Sequence, residues 1–322
     1  MPQVMAMQTS EGVHSNCKIM IETINTKYLP LACLLISLLC AAARAQDLEP
    51  RSYTNLPINQ TFLLAGVLRS EGDLTPTSSS KLQDAELEID AQVLGFAHTF
   101  ALAGKSAKVG ASASRLCYQG SAVFAGEFVE AQRCEYGDPK IKLTWNFYGA
   151  PALALQDFAQ WDHGLVLGTS LQLQVPLGTH TSEHLINAGA NRWMIRPGFG
   201  GSFRLGNWYF DATTSVRFFE DNDNFFQGSK REQDPLYSVQ GHVVYGLSPG
   251  HWISLNANFF RGGETTRDGR KADDRQENSR WGLTYSVRIN RHHSIKLNYS
   301  TGVVTRAGND FDSYGLVWLY RL

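Results

Sequence analysis

No apolar run in the 322-residue chain is long enough for a comfortable membrane helix. The longest, Tyr28–Ala43, falls short of the about 20 residues a helical span requires. A mean hydropathy of −0.24 likewise excludes a bundle of such helices. It does not exclude a β-barrel, whose strands are only half apolar. Charge has no dominant sign, with 29 Lys and Arg against 30 Asp and Glu, and no basic recognition helix is visible, so nothing argues for nucleic acid. An ATP-binding motif is missing from the mature chain, so any transport is diffusive, and an enzyme is not expected.

Cysteine is scarce as well: five in all. Lys27, the apolar run and Ala43-x-Ala45 form a charged n-region, h-region and cleavage site, predicting a signal peptide over 1–45 cut after Ala45. The segment before Lys27 is long for an n-region, and Met20 is an alternative start. Cleavage removes Cys17, Cys33 and Cys40 and leaves Cys117 and Cys134, which bracket one predicted loop between neighbouring strands. An even count in an exported chain predicts a Cys117–Cys134 disulfide.

What the chain does have is alternation. In Asn191–Glu220, Trp193, Ile195, Pro197, Phe199 and Phe203 fall on one side, and Arg192, Arg196, Ser202 and Arg204 on the other. After Gly206-Asn207, a favoured turn pair, Trp208, Phe210, Val216 and Phe218 oppose Tyr209, Asp211, Ser215 and Arg217. Each arm exceeds the usual soluble strand of about 5–6 residues, and aromatics cluster near the ends of the apolar face. This is the pattern of a transmembrane barrel hairpin.

The rhythm recurs. Strands are predicted at about 61–69, 85–100, 106–116, 140–148, 164–175, the two arms of 191–220, then 235–247, 252–261, 280–290, 294–305 and 311–322, twelve in all. The stretch 121–129 extends the third strand's hairpin, and a short amphipathic helix is expected within 149–162, with Pro151 at its first position. Connections alternate between tight and long, as in barrels with short periplasmic turns and long outside loops. The alternating end Tyr314, Leu316, Trp318, Tyr320, Leu322 matches the strand by which barrel assembly machinery recognises its clients. The fold class is all-β: a transmembrane antiparallel barrel over 60–322 in outer-membrane lipid, preceded by a periplasmic lead-in, 46–59.

Phase assigns the lumen. Glu86, Glu88, Asp90, Lys140, Lys142, Arg192, Arg196, Arg204, Asp211, Arg217, Arg280, Arg288 and Lys296 are predicted inward, with Leu87, Ile89, Ala91 and Val93 facing lipid. Acids of the second strand then pair with bases of the fourth. Either these charges set a constricted, anion-favouring bore, or they pair and stabilise the interior. His180, Glu183 and His184 match H-x-x-E-H, but in a loop rather than on the helix that zinc chemistry needs. Glu220, Asp221 and Asp223 lack EF-hand order, and Phe225-Phe226 beside them offers a loop contact for an apolar solute. Ser238 and His242 share a face but stand about 13 Å apart on a strand, too far for a nucleophile and its base. No metal or cofactor is expected.

The runs LEPRSYTNLP (48–57), GDPKIKLTWNFYGAPAL (137–153), NRWMIRPG (191–198), REQDPLYSVQGHVVYG (231–246) and the end from His292 resemble an outer-membrane transporter family labelled "MetA-pathway of phenol degradation". The resemblance implies a bacterial outer-membrane, porin-like barrel that takes up small aromatic solutes. It supplies no substrate-binding residues. A structural or adhesive barrel, and less readily an outer-membrane hydrolase, stand as the other readings.

Overall fold

The computed structural model describes residues 48–75, 82–124 and 126–322; the expected signal segment and its three cysteines lie outside the described residues. The wall begins with β1 (Thr61–Thr75), β2 (Leu82–Leu102), β3 (Lys105–Phe124), β4 (Glu127–Tyr136) and β5 (Lys140–Tyr148). It continues with β6 (Leu165–Gln174), β7 (Met194–Leu205), β8 (Trp208–Phe219), β10 (Leu236–Ser248) and β11 (His251–Gly262), and ends with β14 (Gln276–Arg288), β15 (His293–Val304) and β16 (Gly308–Arg321). Between them, β9 (Arg231–Gln233), β12 (Thr265–Arg267) and β13 (Arg270–Lys271) form a small sheet in the long loops.

The pairings are antiparallel, and β1 bonds to β2 on one side and β16 on the other, which closes the sheet. β4 and β5 occupy successive stretches of the same edge of β3, with Cys117 opposite Cys134 and Lys108 opposite Thr144. Counted as one, they make the wall twelve strands. Among the described strands of the wall, closure leaves an unpaired edge only at β4, whose strand partner is β3 alone; elsewhere it removes the open edge that a strand in hydrocarbon cannot tolerate. The outer face carries Leu94, Phe199, Leu255, Leu283 and Leu316, all exposed. The inner face carries buried Ser202, Gln240, Asn256, Asn258 and Thr284.

Local chemistry sets the turns. Ala103 and Gly104 both take positive φ (50° and 72°) to join β2 to β3, and Gly206 (φ 60°) begins the β7–β8 turn. The 149–164 connection holds one helical turn, α1 (Leu155–Phe158). Pro151 does not open it; its backbone bridges Lys105, so the helix starts only after the chain has paired with the β2–β3 turn. The hairpin beyond Cys117 continues as β3 and β4, and the expected Cys117–Cys134 disulfide is formed.

Candidate functional site in the bore

The described part of the lead-in is 48–59. It runs up inside the barrel. Its exit is tied down near the tight-turn end of the barrel: Thr99 Oγ1 donates to Pro57 O (2.7 Å), Ile58 N to Leu153 O (2.9 Å), and Asn55 Nδ2 to Pro151 O (3.2 Å). Tyr53 is 2% exposed, with its hydroxyl 3.0 Å from Ser170 Oγ. A Cβ at Gly168 or Gly200 would sit 2.6 or 2.5 Å from its ring. Both glycines occupy inward positions on adjacent strands, so the wall is scooped out to take an aromatic side chain.

The Arg51 backbone N–H donates to Asp211 Oδ2 (2.8 Å), and its guanidinium covers Tyr209 (4.6 Å) and reaches Trp252 (5.7 Å), both next to tight turns. Glu49 is the plug's one acid among its described residues, and it pairs with Lys142 of β5. Its backbone N–H donates to Gln240 of β10, and Ser52 Oγ donates to its carboxylate (3.0 Å). Burial disfavours the charged Glu49, but Lys142 and Arg196 outweigh it and hold the carboxyl well below the usual carboxylate range.

Beside the plug, and lined in part by its residues Leu48–Ser52 and Leu56, lies a cavity of about 810 Å³ with both apolar and cationic walls. Leu64, Leu68, Ile89, Val317 and Leu319 form an apolar stripe, from β16, β1 and β2. Lys108 of β3 flanks that stripe at one edge, and Lys296 of β15 and Arg280 of β14 flank it at the other, with Lys296 directly opposite Val317 in the register. Arg280 donates to Ser300 Oγ (3.0 Å) and Ser313 Oγ (3.2 Å).

Most predicted inward positions are inward. Lys142 and Arg196 face the plug tip, and Arg280 and Lys296 face the cavity. Lys140 and Arg217 share the inward phase of their strands. Arg192 is buried beneath the loop sheet, bonded to Gln233 and lying over Phe219 (4.6 Å). Arg204 pairs with Asp162 (3.3 Å), and Arg288 is exposed at the periplasmic lip.

Glu86, Glu88 and Asp90 are the correction. Leu87 is 9% exposed and Leu94 is 68% exposed, so the odd residues of β2 face in and the even ones out. Arg69 gathers Glu88, Asp90 and Glu71 on the outer face. The cause is height. Arg69 is the ninth residue of β1, where a tilted strand has used the about 9–11 residues needed to cross lipid. Beyond that level the outer face meets water, while Leu87 and Ile89 pack inside against Tyr118, Phe311 and Ile186. The second strand's acids therefore do not pair with the bases of β5.

The remaining candidates separate. His180 Nε2 lies on Asn224 O (2.9 Å), and His184 faces Glu135 (3.8 Å), so the H-x-x-E-H residues do not converge. No metal-binding group of three such side chains occurs among the described residues. Asp221 and Asp223 both face Lys230 (2.8 and 3.8 Å), whose hydrogen bonds to Asp221 and Glu232 raise its ammonium above the ordinary range. Ser238 bonds to Asn258 and His242 to Asn256, each 2.9 Å.

One Ser–His contact was not visible in the sequence. His163 Nε2 is 3.2 Å from Ser202 Oγ. Ser202 is 1% exposed, and Trp161 and Tyr209 close over the ring at 5.2 and 5.3 Å, so the pair packs the periplasmic end rather than presenting a nucleophile. Burial and the neighbouring Arg51 push this imidazole down to about 4.

Glu49, Arg51 and Tyr53 lie in the LEPRSYTNLP run that carries the family resemblance, but nothing local in that short polar segment marks it as entering a barrel. Lys108 had a signal: it shares a face with Gly110 and Ser112.

The family model described as "Putative MetA-pathway of phenol degradation" matches residues 75–320. A search of curated proteins finds no match. Among solved structures, the COG4313 outer membrane channel from Pseudomonas putida F1 superposes with a TM-score of 0.72 at 20% identity, covering 86% of this chain and 100% of that one. The transport unit of the autotransporter AIDA-I from Escherichia coli gives 0.54 at 11% identity, covering 92% and 98%. At these identities the likeness is one of fold: an outer-membrane β-barrel.

Proposed function

Since the chain belongs to the family described as "Putative MetA-pathway of phenol degradation", we propose that this outer-membrane barrel is a channel for passive uptake of small aromatic solutes, favouring those that carry a carboxylate. The observation that carries the reading is the cavity of about 810 Å³ with an apolar stripe flanked by Lys108, Arg280 and Lys296. A ring gains by leaving water for Leu64, Ile89 and Val317, at roughly 25 cal/mol per Å² of apolar area. A carboxylate on the same solute meets fixed cations at the edges of the stripe. With Glu86, Glu88 and Asp90 on the outside, the inward strand charges are predominantly basic, which supports a selectivity role over internal neutralisation. The structural-barrel reading leaves this mixed lining without a use, and the Ser–His contact described above, His163–Ser202, is closed off from substrate, which counts against the hydrolase reading.

Liposome swelling with a graded panel of sugars, phenol and benzoate tests the proposal. Benzoate should enter faster than a sugar of equal size, and reversal potentials across a salt gradient should show anion preference. No swelling and no current in any solute would reject the channel.

A further inference from the structure

Glu49 fills its niche. The space left between it, Lys142, Arg196, Ser170 and Gln240 is about 10 Å³, room for at most one water. The same residue borders the larger cavity, whose wall brings Lys108 and Lys296 beside it. The plug's carboxylate thus stands at the boundary between a packed cationic niche and an open cationic, half-apolar chamber. We propose that the Lys142 niche is a carboxylate-binding subsite held by Glu49 in the resting barrel, and that a carboxylate-bearing aromatic solute entering the chamber competes with Glu49 for it and so releases the plug tip.

The proposal deepens the uptake reading above and rests on it for the solute's route of entry. A tethered carboxylate competes at high effective concentration, so it masks the subsite from free solute. Removing its charge should raise the apparent affinity by the factor through which the occupied state had lowered it. The neighbouring plug contacts are of other kinds: Tyr53 seats in a glycine hollow, and Arg51 donates a backbone N–H to Asp211. Neither is displaced by a carboxylate at Lys142, so competition acts first at the tip.

The test is calorimetric titration of full-length protein in detergent with sodium benzoate, and with phenol as the uncharged comparison. Glu49→Gln should bind benzoate about tenfold more tightly than the wild type, while phenol binding changes less than about twofold. Lys142→Gln should weaken benzoate by about tenfold with Glu49→Gln in the background. Heat-modifiable migration on gels verifies that each variant is folded. Equal benzoate affinity in wild type and Glu49→Gln, an equal gain for phenol, or no benzoate binding to any variant would overturn the subsite. Bilayer recordings separate this from the channel reading. Tighter benzoate binding in Glu49→Gln without conductance would sink the channel and keep the subsite. Conductance with unchanged benzoate affinity would do the reverse.

Discussion

Tyr53 Oη lies 3.0 Å from Ser170 Oγ, joining a residue upstream of the first strand to the inner wall 117 positions later. Its ring fills the space that Cβ atoms at Gly168 and Gly200 would need. That contact holds the plug in the bore independently of any charge.

Tyr53→Ala should therefore loosen the plug without harming the wall. Losing a buried aromatic costs about 3 kcal/mol, roughly a hundredfold in the docked-to-released ratio. Mean conductance in planar bilayers should rise, while the temperature of heat-modified migration stays close to wild type. Unchanged conductance would mean that the segment does not limit flow.

The two faces of the wall predict opposite electrical behaviour. Glu88→Lys lies outside with Arg69 and should leave the reversal potential unchanged. Breaking that exposed pair should cost under about 1 kcal/mol. Arg280→Gln lies inside and should move the reversal potential toward weaker anion preference. A larger shift from Glu88→Lys than from Arg280→Gln would contradict the inverted phase of β2.

The Cys117–Cys134 bond spans a sequence separation of 17, for which the chain-entropy model gives about 3 kcal/mol. It clamps the β3–β4 hairpin where β5 no longer supports it. Reduction should add two hydrogens by mass and speed proteolysis between 117 and 134. Heat-modifiability should persist, because the twelve-strand closure does not pass through the bond.

His163 makes stability pH-dependent. Its folded value, about 4, lies below the ordinary 6.5, so the unfolded chain binds more protons between those values. Stability should be full above about pH 6.5 and fall as pH drops toward about 4. Unfolding temperatures measured from pH 7.5 to 4.5 should show this slope, and His163→Gln should flatten it. An equal slope in the variant would assign the effect to other groups.

Much of this was legible in the chain. Gly206-Asn207 marked a turn, and the alternation of Lys140–Tyr148 placed Lys140 and Lys142 inward. Cys117 and Cys134 read as a pair because export leaves only those two. Strand two failed for a definite reason. Its period of two was correct, but period says nothing of which face is wet, and that depends on how far the strand rises beyond lipid.

Alternation along the strands determined the barrel, its strand number and the tight turns, because a strand in a bilayer must separate apolar from polar side chains residue by residue. Contacts between residues far apart in sequence decided the rest: Tyr53 in its glycine hollow, Glu49 against Lys142, His163 on Ser202, and the apolar stripe shared by β16, β1 and β2. Local pattern carries no information about which distant segments meet inside a closed wall. Only closure brings the lead-in into the lumen, and only the strand's height in the membrane settles whether Glu88 looks into the pore or away from it.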